Sequence, residues 1–312
     1  MRRGLAMSLC ALSVTFCTAP ASFGDEPRAA GCERRGGPSQ PGDRSDLGRA
    51  QVVAMLDDLR TTLLDRYGVD EREFDTGRRR ARLVVPVRFH VITDGRAGRL
   101  SSTSVRRQIA ALNSAYGGRR GGANTGVRFR LVSTKATNNR AWFRQPERHE
   151  RPLKKALRRG GPGTLNLFTA AVGADVLGFS TFPHWYRENP GLDGVVVDYR
   201  TLPGGSYRHY DKGMTTVHEV GHWLGLFHTF ENGCLEPGDG VADTPYEAGP
   251  AEGCPWIRDS CAQRGLDPVH NFMNYGWDDC MREFTPGQGR RIRAAWAAYR
   301  RPSGVRSVAG AR

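Results

Sequence analysis

The sequence predicts one α/β (α+β) domain of two lobes, and three features of the chain predict it. Strand and helix patterns alternate between residues 83 and 197. A histidine-rich helix follows at 215–224, and the chain after it is rich in loops, carries four cysteines and ends in one more helix. We therefore expect a twisted mixed sheet and the histidine-rich helix in the first lobe. An irregular, disulfide-bonded segment forms the second lobe, and a cleft lies between the two.

The first residues are typical of a secretory signal peptide. A basic start, an apolar run from Leu5 to Phe16 and a small-residue cleavage site at 19–21 assign the signal peptide to residues 1–21. This run is too short to span a bilayer, and no later segment is apolar enough to do so. We therefore expect a secreted protein without a transmembrane segment.

Residues 22–81 are interpreted as a pro-segment. The part 22–48 is rich in Gly, Pro, Arg and Ser, which is typical of disorder. The part 49–67 carries apolar residues at helical spacing, so it predicts a helix that packs on the rest of the chain. A basic linker, 77–82, follows and is expected to be exposed.

Hydrophobic period and capping residues predict the remaining elements. Apolar runs or alternation predict strands at Leu83–Ile92, 127–132, 165–168 and 195–197. Helical spacing predicts a helix capped by Ser102 or Thr103, a helix at 147–158, and a last helix that starts at Thr285-Pro286. The stretch 234–282 is expected to be irregular.

The helix at 215–224 carries the motif H-E-x-x-H-x-x-G-x-x-H. His218 and His222 are four residues apart on one helical face, so both imidazoles can point at one metal. Gly225 can adopt a positive φ and end the helix, which lets His228 return as a third ligand. Three imidazoles leave one position of a zinc ion open for water, as a catalytic zinc requires. Glu219 is the candidate general base that takes the proton of that water. The alternative is an amphipathic helix with surface histidines, against which the five fixed positions argue.

Motifs on both sides of the histidines resemble those of a known protease family. The segment 271–275, N-F-M-N-Y, is similar to the Met-turn of the metzincin zinc proteases. The segment 238–245, G-D-G-V-A-D-T-P, resembles the G-D-x-V-x-D-T-P stretch of the pappalysin (cytophagalysin, M43-type) metzincins. Matching stretches also occur at 177–183, 193–197, 280–281 and 284–288. The resemblance covers roughly residues 82–302. It implies the two-lobed zincin (metzincin) fold in a catalytic domain at 82–302, followed by a flexible tail at 303–312.

The resemblance also implies roles for three residues near the motif. Tyr275 matches a family tyrosine that binds the developing oxyanion, with a core tyrosine as the alternative. Met273 is expected to form an apolar floor under the zinc histidines. Asp278 matches a position that borders the S1′ pocket and favours a basic residue at P1′, because a carboxylate pairs with Arg or Lys. The alternative for Asp278 is a cap on a turn beside a disulfide.

Four cysteines follow the zinc motif, and in an exported protein they suggest two disulfides. Sequence alone allows three pairings, and the lack of a C-x2-C spacing argues against a second zinc site. The resemblance implies the pairs Cys234–Cys261 and Cys254–Cys280.

Cys32 is the unpaired cysteine of the pro-segment. Family members carry a pro-segment cysteine, commonly beside Arg and Gly, whose thiolate can occupy the open zinc position. We therefore expect Cys32 to be a latency switch, although the order Gly31-Cys32-Glu33-Arg34 departs from an R-x-C-G order. The alternative is a free or intermolecularly paired cysteine.

An acidic loop after the zinc motif leaves two interpretations open. It carries four oxygen-bearing side chains, those of Glu236, Asp239, Asp243 and Thr244. Calcium takes six to eight oxygen ligands, and relatives in the family bind calcium near this loop. The spacing is not that of an EF-hand, so a solvated acidic turn is an equal alternative.

Charge and motif content limit the function classes. The formal charge is +14, but Arg is scattered along the chain and no nucleic-acid motif accompanies it, so no specific nucleic-acid partner is expected. The sequence predicts a secreted monomeric zinc endopeptidase, made as a zymogen, with one catalytic zinc and with proteins or peptides as substrates. An inactive exported zinc-binding protein is one alternative, but both Glu219 and the third histidine are present. A zinc amidase on non-peptide substrates stays open, because the motif does not identify the substrate.

Overall fold

A computed structural model describes residues 47–76, 82–173 and 176–301, all of which belong to one compact unit, residues 39–312. The signal peptide, Cys32, most of the basic linker and the C-terminal tail lie outside the described residues.

A five-stranded mixed sheet forms the centre of the first lobe, as the sequence predicts. Its strands are β1 (Leu83–Thr93), β2 (Val127–Asn138), β3 (Leu165–Ala170), β4 (Gly178–Ser180) and β5 (Val195–Asp198). The order across the sheet is β2-β1-β3-β5-β4. All neighbours are parallel except β4, which pairs antiparallel with β5. The strands β3 and β5 are buried along their whole length, as central strands covered on both faces should be.

The described part of the chain contains seven α-helices. They are α1 (Arg49–Tyr67), α2 (Glu71–Thr76), α3 (Ser102–Tyr116), α4 (Arg140–Arg144), α5 (Glu150–Leu157), α6 (Met214–Trp223) and α7 (Pro286–Ala295), and α7 continues into a π-helical turn, Trp296–Arg300.

The N-cap of α3 differs from the sequence prediction. The cap is Ser101, whose hydroxyl accepts a hydrogen bond from Ser104 N at 3.0 Å, rather than Ser102 or Thr103. Two serines and a threonine in succession offer the same capping chemistry, so the sequence could not decide between them.

The helix α1 packs on the C-terminal helix of the second lobe. Leu59 and Leu63 are buried against alanines of α7 and the π-helical turn. Nearer the other end of α1, Val52 and Met55 contact Phe182 and Phe227. The apolar stripe of α1 is therefore buried against the rest of the chain, as its helical spacing predicts.

The histidine-rich helix α6 lies at the centre of the molecule, and all ten of its residues are buried. Two side chains of α3 hold its N-terminal half. Gln108 Nε2 donates to Gly213 O at 3.0 Å, and Tyr116 Oη donates to Val217 O at 3.0 Å. A buried helix with both side chains and backbone fixed is a rigid platform for a site.

The second lobe is irregular between α6 and α7 and contains two disulfides. Cys234 pairs with Cys261, and Cys254 pairs with Cys280, which is the pairing that the family resemblance implies. The last helical turn returns to the first lobe through Arg300, which is fully buried. Its guanidinium donates to Trp223 O at 2.9 Å and to Asp193 Oδ1 at 2.9 Å, so it closes the C-terminal end of α6.

Candidate active site

Three imidazoles converge at the centre of the molecule. His222 Nε2 lies 3.1 Å from His218 Nε2 and 3.2 Å from His228 Nε2. Among the described residues, this is the one group of three or more His, Cys, Asp or Glu side chains whose possible ligand atoms all lie within 4.8 Å of one another. All three side chains are buried.

The second nitrogen of each imidazole is held by an acceptor. His218 Nδ1 lies 2.7 Å from Phe272 O, and His222 Nδ1 lies 2.8 Å from Leu226 O. A carbonyl oxygen can only accept, so each Nδ1 carries the proton and donates. His228 Nδ1 lies 3.5 Å from a carboxylate oxygen of Glu231. The Nε2 lone pairs are therefore directed toward one point, which is the arrangement that metal-binding histidines use.

The turn after α6 depends on Gly225, as the motif predicts. Its φ is 98°, and Leu226 N donates to Gly221 O at 3.0 Å as the helix ends. A Cβ at position 225 would lie 2.8 Å from Ala295 Cβ. Both the backbone angle and the contact with α7 require glycine, and the turn brings His228 back to the other two histidines.

Met273 lies directly beneath α6. A Cβ at Gly221 would overlap with Met273 Sδ, so the glycine in the motif provides the space for the methionine. Met273 is fully buried, and its backbone O accepts from Thr229 N at 3.1 Å. The side chain thus contacts the helix between the two metal-facing histidines.

Glu219 is buried between α6 and the edge strand β4. A Cβ at Gly178 would lie 2.8 Å from Glu219 Oε1, so the carboxylate lies close against the β4 backbone. Glu219 also lines a pocket together with His218 and Tyr275. Its carboxylate therefore faces the space in front of the histidines.

Tyr275 completes the inner part of the site. Its hydroxyl lies 3.2 Å from His228 Nε2, and its ring contacts His228 and Phe230 edge to face. The half-buried position beside the converging nitrogens differs from that of a core tyrosine.

Asp278 lies at the inner end of the pocket beside α6. Its Oδ2 accepts from Lys212 N at 2.7 Å and from Met214 N at 3.3 Å, so one oxygen fixes the start of α6. Its Oδ1 is buried without a hydrogen-bond partner among the described residues. Burial is the largest influence on this group and raises the pKa of Asp278 to about 7, while the two backbone N–H groups lower it.

Two further polar groups line the same pocket. Thr215 Oγ1 is buried and has no partner in the described part of the chain, and Tyr210 lies beside it. Burial raises the pKa of Tyr210 to about 12, so its hydroxyl keeps its proton. Sequence analysis missed both residues, because neither belongs to a recognisable motif and both reach the pocket only through the tertiary fold.

Three of the four acidic-loop residues, Glu236, Asp239 and Thr244, line one pocket, and Asp243 lies close enough to Asp239 to influence its pKa. Asp243 accepts from Thr285 Oγ1 and from Gly287 N at 2.7 Å each, so it caps the start of α7. Asp239 accepts from Val241 N at 2.9 Å, and burial raises its pKa to about 7. Glu236 is exposed and Thr244 is buried.

A family model and curated relatives match this chain. The model of peptidase family M43, described as pregnancy-associated plasma protein-A, matches residues 174–297. An extracellular metalloprotease of Arthroderma benhamiae is 41% identical over 236 residues, which cover 73% of this chain and 76% of that protein. An extracellular metalloprotease of Verticillium alfalfae is 44% identical over 230 residues, or 71% of this chain and 78% of the relative.

Solved structures of mirolysin from Tannerella forsythia are similar as well. Mature mirolysin in complex with a cleaved peptide shares 29% identity at a TM-score of 0.62, over 68% of this chain and 91% of that chain. Promirolysin shares 26% identity at a TM-score of 0.66, over 82% of this chain and 93% of that chain. The match to the pro-form therefore covers more of this chain.

Proposed function

The chain belongs to peptidase family M43 and is a zinc metalloendopeptidase, and from this we propose that it is secreted as a zymogen and cleaves peptide bonds before Arg or Lys. The observation that carries the catalytic proposal is the convergence of three Nε2 atoms beside the carboxylate of Glu219.

The three histidines fit a tetrahedral zinc ion. Two nitrogens that are each about 2.05 Å from a tetrahedral zinc lie about 3.3 Å apart. The separations of His222 Nε2 from the other two Nε2 atoms, 3.1 and 3.2 Å, agree with that value. The proton on each of the two carbonyl-bound Nδ1 atoms leaves the opposite lone pair free for the metal.

Bound zinc would lower the pKa of a water molecule to near 7 and polarise the scissile carbonyl. Glu219 takes the proton of the attacking water and delivers it to the leaving amine. The β4 backbone at Gly178 lies close against the carboxylate and limits its movement. Tyr275 donates its hydroxyl proton to the oxygen of the carbonyl as negative charge develops there.

The pocket beside the histidines supports recognition of a basic P1′ side chain. Asp278 Oδ1 offers an acceptor that no described group uses, and Thr215 Oγ1 and Tyr210 add polar groups to the same wall. An arginine guanidinium carries donors in a fork that match such oxygens, and a lysine ammonium uses fewer of them. The structural role of Asp278 Oδ2 at the start of α6 does not compete with this, because it engages the other oxygen.

The relatives support secretion and a pro-form. Those that match are named extracellular metalloproteases, and the promirolysin structure matches a larger share of this chain than mature mirolysin does. No helix in the described ranges has the length and apolar content to cross a membrane. The boundaries at 21 and 81 and the monomeric state stay predictions. So do the calcium site and the role of Cys32. Equal latency of a Cys32→Ser precursor and the wild type would contradict the latency switch.

The test is hydrolysis of a peptide library by the purified enzyme, with and without a zinc chelator. We expect cleavage before Arg or Lys that the chelator abolishes and added zinc restores. An inactive zinc-binding protein would bind zinc and cut nothing. A zinc amidase would spare every peptide and release ammonia or an amine from a non-peptide amide. Either outcome would contradict the proposal.

A further inference from the structure

An exposed tryptophan lies on the disulfide-bonded loop of the second lobe. Trp256 is 86% exposed, the highest value of any large apolar side chain in the described residues, and Ile257 beside it is 62% exposed. Leu266, on the returning part of the same loop, is 52% exposed. Side chains this exposed contribute little to the packing of the fold. Neighbouring apolar groups at a surface commonly mark a binding site.

Short contacts join this loop to the wall of the S1′ pocket. Trp277 N donates to Gly253 O at 2.8 Å, and a Cβ at Gly276 would lie 3.5 Å from the same oxygen. Gly276 lines the pocket together with Asp278. The disulfide Cys254–Cys280 adds a covalent link between the two segments. Trp256 thus lies two to three residues along the chain from Gly253 and Cys254, which contact the segment that forms the pocket wall.

The loop is held in one conformation by its own hydrogen bonds. Asp267 N donates to Arg258 O at 2.9 Å. Ile257 and Leu266 each precede one of these two hydrogen-bonded residues in the chain. The Arg258 guanidinium pairs with the carboxylates of Asp267 and Glu247. A surface that is already ordered loses little conformational entropy when a ligand binds to it.

The ring of Trp277 is fixed in the same way. It stacks on His209 with ring centroids 3.7 Å apart and an interplanar angle of 8°. Gly253 lies against the edge of this ring, since a Cβ there would be 3.7 Å from the indole. Gly253 and Trp277 therefore join the loop that carries Trp256 to the residues of the pocket wall.

We propose that Trp256 and Ile257 form an apolar exosite that binds a substrate side chain on the C-terminal side of the scissile bond. The inference rests on the proposed peptidase function and deepens it. Its occupant is the substrate polypeptide, because the Trp277–Gly253 hydrogen bond and the Cys254–Cys280 disulfide hold this loop beside the wall of the pocket that takes the P1′ residue. Trp is enriched among the residues that contribute most of the binding energy at protein interfaces.

The reach of the loop indicates which substrate residue makes the contact. Trp256 follows Gly253 by three residues, a span of at most about 10 Å at roughly 3.3–3.6 Å per residue. An extended substrate covers the same distance in about three residues. With P1′ in the pocket, the substrate side chains as far as P3′ or P4′ lie within that maximum span, so we assign the contact to P3′ or P4′.

The test compares peptides that are identical through P2′, with Arg at P1′, and that carry either Leu or Ser at both P3′ and P4′. A third peptide ends at P2′. We expect the wild type to favour the Leu peptide about five- to tenfold in kcat/KM through a lower KM, since part of one apolar side chain becomes buried. Trp256→Ala and Ile257→Ser should reduce this preference toward one.

The matched control is Val132→Ala, at an exposed apolar position on the edge strand β2, opposite to β4. It should keep the full preference for Leu. All variants should cleave the truncated peptide at the wild-type rate, because the metal site is untouched. A wild type that does not distinguish Leu from Ser, or a Trp256→Ala variant that keeps the preference, would overturn the exosite alone. Failure of the wild type to cleave any peptide would overturn the proposed function and the exosite with it.

Discussion

At the scale of single residues, the site depends on which of the two polar atoms of each side chain is already hydrogen-bonded to the protein. Each histidine that would bind the metal has its Nδ1 against a carbonyl or carboxylate oxygen, and Asp278 Oδ2 accepts a hydrogen bond from the backbone at the start of α6. The remaining Nε2 atoms then converge on one point, and the remaining Asp278 Oδ1 has no hydrogen-bond partner among the described residues. In this site, each of these side chains is therefore oriented by a contact of its other polar atom with the protein.

Replacement of Glu219 by Gln should remove the general base and leave the metal in place. We expect Glu219→Gln to lower kcat by roughly 10²–10⁴-fold, the usual contribution of general acid–base catalysis. Metal content and kcat are measured on the same preparation. The exposed Glu188→Gln serves as control and should behave as wild type. Wild-type turnover by a fully metallated Glu219→Gln variant would rule out this role.

The preference for Arg at P1′ should strengthen as pH rises through 7. The pKa of Asp278 is about 7, so its carboxyl is neutral below that pH and charged above it. Nearby, Asp211 raises this pKa and Arg120 lowers it, while Tyr210 stays protonated up to about pH 12. The ratio of kcat/KM for peptides with Arg and with Leu at P1′ is measured between pH 5.5 and 8.5, a range of about 1.5 pH units on either side.

Variants of the two neighbouring aspartates distinguish the effect of a charge in the pocket from that of a charge at the surface. Asp278→Asn should lower the Arg/Leu ratio about tenfold at high pH and flatten its pH dependence, because it removes the charge. Asp279→Asn should leave both unchanged, since Asp279 is exposed and pairs with Lys212 outside the pocket. A flat ratio in the wild type would show that Asp278 does not select the P1′ residue.

At the scale of elements, the contact between α6 and the turn at 271–275 requires a glycine. Gly221→Ala would insert a methyl group into the space of Met273 Sδ, and overpacking of this kind costs about 1–3 kcal/mol of unfolding free energy. Gly191→Ala is the control, because a Cβ there meets nothing within 4 Å. Thermal or urea unfolding measures both.

A double variant identifies the cause of that cost. If the overlap with Met273 is responsible, Met273→Ala should destabilise less in the Gly221→Ala background than in the wild type, because the new methyl group fills part of the cavity. Additive effects of the two substitutions would show that the helix and the turn do not constrain each other.

At the scale of the whole molecule, α1 is predicted to unfold together with the catalytic domain. Leu63 is fully buried against the C-terminal helix, whereas its neighbour Leu64 is 42% exposed. Leu63→Ala should therefore lower the free energy of unfolding by about 2–5 kcal/mol, and Leu64→Ala by much less. Urea unfolding of the full chain compares two identical substitutions one residue apart. Equal effects would mean that α1 does not belong to the cooperative unit.

The elements with a strong hydrophobic period were predictable from the sequence. The helix at 49–67, the strands at 83–92 and 195–197 and the last helix lie where the spacing of apolar residues predicts them. The short elements α2, α4 and β4 were missed, because each contains less than two periods of the pattern of its own type: five or six residues at the helical period of 3.6, or three residues at the strand period of 2. The strand β2 runs to Asn138, beyond its predicted end at 132, because pairing with β1 continues after the alternation of apolar residues stops.

By itself, the sequence determined the family, the zincin fold and the order of the three histidines. The family and the fold follow from motifs that resemble those of known proteases. The convergence of the histidines follows from their spacing along one helix and one turn, whose local geometry is the same wherever such a spacing occurs. Only the tertiary structure decided which oxygen of Asp278 has no hydrogen-bond partner among the described residues, which carbonyls orient the histidines, and that Gly253 contacts Gly276 and Trp277 beside the pocket. Those contacts join residues that are far apart in the chain, and their geometry depends on how the sheet, α6 and the disulfide-bonded lobe pack together.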